Sequence, residues 1–125
     1  MVKALQNTLR ERAVHIWVRA YKERDMKILA LLTPTAGKTP ADFGPLVVAE
    51  EKAVWAAYRA GTIRDIHFQL EPLTVSLVFE AADHAAVEAA LKAFPMMAAG
   101  LLDTHLVTLG PWTMLEALFD KAHLA

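Results

Sequence analysis

Along this chain the spacing of apolar residues switches between continuous, helical and alternating, and each switch marks the edge of an element. The run Ile28-Leu29-Ala30-Leu31-Leu32, entered through Met26-Lys27 and stopped by Thr33-Pro34, predicts a buried central strand. Thr39-Pro40 then supplies an N-cap with proline at the first helical position, and Asp42 sits near the positive end of the helix dipole. The helix that follows ends at Gly61; Gly44-Pro45 kinks or delays its start, Val47, Val54 and Tyr58 form its buried stripe, and Trp55 lies at one margin. Period two returns over residues 63–69, placing Arg64, Ile66 and Phe68 on one side and Ile63, Asp65, His67 and Gln69 on the other. Residues 73–80 alternate likewise, Leu73, Val75, Leu77 and Phe79 against Thr74, Ser76 and Val78, and the short link at Glu71-Pro72 makes the two strands a hairpin. Asp83 caps a second helix with Val87, Leu91 and Phe94 on its buried side, and Pro95 ends it or begins a new turn. A last strand, 104–109, follows Gly100 and is closed by Gly110-Pro111, beyond which Leu115, Leu118 and Phe119 form an apolar tail.

The order β-α-β-β-α-β predicts an α+β fold of ferredoxin-like type, a four-stranded antiparallel sheet with both helices on one face. Its other face is left bare, and a second copy is the economical cover, which makes a dimeric α+β barrel the expected architecture. Residues 26–125 form this domain. Residues 1–25 are a separate amphipathic extension, with six basic residues (Lys3, Arg10, Arg12, Arg19, Lys22, Arg24) against three acidic (Glu11, Glu23, Asp25), a net +3 in a chain whose total is -1. Leu5, Leu9, Ile16 and Ala20 favour an extra helix there, while the alternation of Val14, Ile16 and Val18 allows a strand. Such a basic helix packs on its own domain or on a partner subunit more often than on anionic membrane.

Composition narrows the classes of function. Apolar residues make up 55% of 125, more than one small core consumes, and the surplus points to a homodimer or larger homo-oligomer. A net charge of -1, without basic runs interleaved with aromatics, argues against nucleic acid as a partner. The absence of cysteine removes disulfide, thiolate and Cys-ligated metal chemistry and fits a reducing compartment, so a cytoplasmic protein is expected. No run of about 18 apolar residues and no signal-peptide core occurs, so neither a membrane nor secretion is expected. Gly37-Lys38-Thr39 lacks the upstream glycine of a phosphate loop.

Several stretches together resemble the muconolactone delta-isomerase-like branch of the dimeric α+β-barrel proteins. They are Ala49-Glu50, Val54-Trp55 to Tyr58 with Ala60-Gly61, Ile63-Arg64-Asp65-Ile66, Leu91-Lys92-Ala93-Phe94-Pro95, Gly100-Leu101-Leu102-Asp103 and Leu109-Gly110-Pro111, spanning about residues 26–119. The resemblance implies a cofactor-free proton shift in a small unsaturated lactone acid, within a cavity between helix and sheet. The chain departs from the family pattern at three positions. His67 stands where an aromatic residue is common, Gln69 where a basic one is, and His105 where glutamate is usual.

The residues themselves suggest where chemistry would lie. Glu50 and Glu51 fall within or beside an apolar helix stripe, where burial lifts a carboxylate toward a useful general acid or base; the alternative is an ordinary ion pair or surface glutamate. Glu50 also carries the family match and is the first catalytic candidate. Arg64 would either pair with Glu50 or grip a substrate carboxylate. Asp65 and His67, on one strand face, form a second catalytic pair if the carboxylate orients the imidazole. Gln69, Ser76 across the hairpin and His105 complete a substrate-binding set, the sheet face of His105 being left open. No metal-ligand spacing is present among these residues, so neither metal nor cofactor is expected. His84, His123 and His15 read as solvated or belonging to the extension.

Three functions follow. The first is a cofactor-independent isomerase or cyclase moving protons on a small unsaturated acid, lactone or polyketide-like substrate. The second is a cofactor-free monooxygenase of the same barrel class, and the third a non-catalytic small-molecule-binding or scaffold protein.

Overall fold

The computed structural model describes residues 26–120; the helix expected in residues 1–25, together with His15 and His123, lies outside them. Strand β1 (Met26–Pro34) leads into a one-turn helix α1 (Pro40–Phe43), a 3₁₀ turn (Gly44–Leu46) and α2 (Val47–Arg59). The hairpin β2 (Ile63–Gln69) and β3 (Thr74–Ala81) follows, then α3 (His84–Lys92), a one-turn α4 (Pro95–Ala98), β4 (Leu102–Leu109) and a C-terminal 3₁₀ stretch (Thr113–Phe119). The single helix expected to end at Gly61 is therefore three segments. Pro45 has no N–H to give, so the chain passes Gly44-Pro45 in a tighter turn before α2 begins.

Local hydrogen bonds explain where the helices start and stop. The Thr39 N–H donates to the Asp42 carboxylate at 2.7 Å, closing the first turn of α1 and holding that carboxyl below its ordinary range. At the end of α2 the Gly61 N–H donates to Tyr58 O and the Thr62 N–H to Ala57 O, both at 3.1 Å, a left-handed closing turn that the φ of +81° at Gly61 permits. Asp83 accepts the Ala86 N–H at 2.8 Å and starts α3. Asp83→Ala should cost about 1 kcal/mol, read as a lower urea midpoint at unchanged slope.

The sheet order is β2-β3-β1-β4, and every neighbouring pair is antiparallel. Ile28, Ala30 and Leu32 of β1 and Leu77 and Phe79 of β3 are buried together with Val87, Leu91 and Phe94, and α2 adds Val54 and Ala57. Since strand residues alternate, these side chains share one face, and α2 and α3 both lie on it. The register defines the opposite face in rows. His67, Ser76, Leu31 and His105 form one row across all four strands, and Asp65, Val78, Leu29 and Val107 form the next. No described element packs extensively over this second face.

Two sequence expectations need correction. Ile63 does not share a face with Asp65, His67 and Gln69: it is buried opposite Phe79, because a bulge at Arg64 adds one residue and reverses the phase of β2. On α2 the buried stripe is Glu50, Ala53, Val54 and Ala57, whereas Val47 and Tyr58 are exposed on its flank.

Candidate functional site

The sequence-derived candidates divide between the two faces of the sheet. Asp65, His67 and Gln69 of β2 project on the helix-free face beside Val78, Ser76 and Thr74, their partners on β3. The register also fixes His105, which shares that face at the opposite edge; three strand spacings separate it from His67, roughly 14 Å. Between them Leu29, Leu31, Val78 and Val107 make a half-buried apolar floor. Asp65 and His67 share the face, but no hydrogen bond joins them, and neither bonds to another described residue. Gln69 is engaged: its Nε2 donates to Pro72 O at 3.0 Å, and the Thr74 hydroxyl donates to the same oxygen at 3.2 Å, fixing the hairpin turn.

Arg64, in the bulge, pairs with Glu80 at 2.6 Å rather than with Glu50. The guanidinium is more than half exposed, so the pair is screened by water. Arg64→Ala should change stability by less than about 1 kcal/mol in urea denaturation, as exposed pairs do.

Glu50 lies on the other side of the sheet, in the first turn of α2, and is the single buried charged side chain among the described residues, 6% exposed. Its Oε2 accepts the Met96 N–H at 2.9 Å. That contact has a local cause. Phe94 stands at the N-cap of α4 and Pro95 at its first position, so no side chain of the segment itself caps the turn, and Glu50 supplies the acceptor from a distant helix. Burial pushes the Glu50 carboxyl up from its ordinary range, with a further push from Glu51; the Met96 N–H pulls it back in part. Glu51 itself is exposed. The signal in the sequence was Phe94-Pro95, a helix start without a polar cap, which asks for an acceptor elsewhere in the fold.

The structure thus keeps Glu50 apart from Asp65 and His67, and one chain does not assemble all three around a single ligand. Among the described residues no three His, Asp or Glu side chains converge to hold a metal ion. An open depression of about 440 Å³ runs along residues 104–106 of β4 and beneath His84, Glu88 and Lys92 of α3; Glu50 is not in its wall. His84 is tied there by a 2.7 Å hydrogen bond between its Nε2 and the Thr108 hydroxyl. No described helix is long and apolar enough to cross a membrane.

No protein-family model matches the chain, and no curated protein matches its sequence.

Proposed function

We propose that the protein is a homodimer of ferredoxin-like α+β-barrel type that catalyses cofactor-independent proton transfer on a small unsaturated acid, lactone or polyketide-like substrate, in the manner of the muconolactone isomerase-like proteins. The observation that carries this reading is Glu50. A carboxyl whose hold on a proton burial strengthens can take a proton from carbon and return it to another position, with no cofactor in the cycle. Ala53 and Val54, one turn on from it in α2, and Met96, whose N–H it accepts, are apolar and partly buried, which suits an apolar substrate. Asp65, His67, Gln69, Ser76 and His105 then belong to the chamber between two paired sheets, where they surround an apolar floor. They bind polar groups of a ligand rather than acting directly with Glu50.

The Met96 hydrogen bond favours a second reading, in which Glu50 is purely a helix cap and the protein binds a small molecule without turning it over. Deuterium incorporation from D₂O into a panel of small unsaturated lactones and β-keto acids, followed by NMR, separates the two. The catalytic reading expects exchange that disappears in Glu50→Gln. Binding without exchange in the native protein, or exchange that Glu50→Gln leaves unchanged, overturns it.

A further inference from the structure

The C-terminal segment 110–120 is exposed at every position, and no described element packs substantially against it. Trp112, Met114, Leu115, Leu118 and Phe119 are 55–77% exposed. At about 150–250 Å² for a large side chain, one arm leaves roughly 600 Å² of apolar surface in water, and two arms with the surfaces they cover exceed the roughly 1,600 Å² of a standard stable interface. A second apolar strip lies elsewhere on the molecule. Val47, Trp55 and Tyr58 line one flank of α2, and Ile66 and Phe68 the helix side of the edge strand β2, all 40–68% exposed. The opposite flank of α2 carries Ala49, Ala56 and Ala60, small residues that suit a facing helix. In a right-handed β1-α2-β2 crossover the bulky flank turns toward β2.

We propose that the arm of one copy docks on the Trp55–Phe68 strip of a second copy. This rests on the paired-sheet dimer above and names what locks it. Topology decides between exchange and self-docking. The arm leaves β4 at Leu109, in the row of Lys27 and Glu80, at the same end of the sheet as Arg64 and the C-terminus of α2 but at the opposite edge from β2. A two-fold axis parallel to the strands keeps the end and exchanges the edges, setting the β4 exit of one copy over the β2 start of the other. Three residues of extended chain and the seven-residue 3₁₀ stretch reach roughly 20 Å, enough to round the partner's edge strand and lie on its helix side. The same contact covers the open edge of β2, which otherwise invites uncontrolled pairing.

Sedimentation equilibrium on the full chain tests this with an arm variant (Trp112→Ser with Phe119→Ser) and a strip variant (Tyr58→Ser with Phe68→Ser), all at exposed positions, with circular dichroism confirming the fold. The native chain should be a dimer, and each variant should weaken it by about 100-fold or more. Combining the variants should weaken it little further than either alone, since both remove one contact. Mixing arm-variant with strip-variant copies should yield heterodimers tighter than either homodimer, because one arm and one strip remain intact and meet across the interface. A dimer that the arm variant leaves unchanged overturns arm docking while the paired sheets stand. Additive losses or no heterodimer preference, as when each arm lies on its own chain, also overturn the exchange. A monomeric native chain overturns the dimer and the exchange together.

Discussion

Phe79→Ala should lower stability by about 3–5 kcal/mol, a large part of the 5–15 kcal/mol that holds a domain of this size together. Phe79 has no exposed surface and sits in β3, where the register sets it between Ile28 of β1 and Ile63 of β2. Its ring therefore fills the point where the bulge in β2 brings Ile63 back to the helix side. Alanine would leave a cavity that neither neighbouring strand can close without breaking its own pairing. The control is Phe68→Ala, a phenylalanine on the same side of the same sheet but 68% exposed at the edge, expected to cost less than about 1 kcal/mol in the isolated chain. Urea denaturation of the two variants, with slopes compared to the native chain, measures the difference. Equal losses would mean that the core does not centre on β3.

The backbone plan was legible because its signals are local. The continuous run at 28–32, the alternation at 73–80 and the caps at Thr39 and Asp83 each bear on a few residues, and the structure puts elements there. The phase of β2 was not legible. A bulge depends on how two strands pair, and the one-residue shift at Arg64 returned Ile63 to the core while leaving Asp65, His67 and Gln69 on the other face. Helical periodicity placed Glu50 near the apolar stripe of α2. It could not reveal that the stripe centres on Glu50 itself, with Tyr58 displaced to the flank, because small alanines make the closest approach. The face of His105 relative to His67 was equally hidden, since it follows from three successive pairings, β2 with β3, β3 with β1 and β1 with β4. What no local signal can supply is the separation of the candidates by the thickness of the sheet, which decides that Glu50 and His67 serve different surfaces.

Glu50→Gln and Glu50→Ala should both lose activity but only the alanine should lose stability, and the pair separates proton transfer from helix capping. Glutamine keeps an oxygen that can accept the Met96 N–H but carries no titratable proton; alanine loses both. Exchange activity should fall about 10²- to 10⁴-fold in Glu50→Gln with the fold intact, the usual worth of a positioned acid or base. Glu50→Ala should lose the same activity and, in addition, about 1–3 kcal/mol of stability, because the Met96 N–H is left without its acceptor in a partly buried place. The pH dependence adds a check that activity alone cannot give. In the unfolded chain this carboxyl titrates near about 4.3, and in the folded chain burial sets it higher. Between those values the folded chain holds a proton that the unfolded chain releases, so the contribution of Glu50 to stability is complete below about 4.3 and is lost as pH rises through the folded value. Glutamine does not titrate, so Glu50→Gln should gain stability relative to the native chain as pH is raised across that window, measured as urea midpoints at successive pH values. The same folded value should appear as a limb in the pH profile of exchange. A relative stability that moves the other way would mean that the Met96 hydrogen bond outweighs burial and the carboxylate ionises more readily in the fold than in water. Glu50 would then be a fixed anion bound to a helix start, and the proton-transfer reading would lose the group on which it stands.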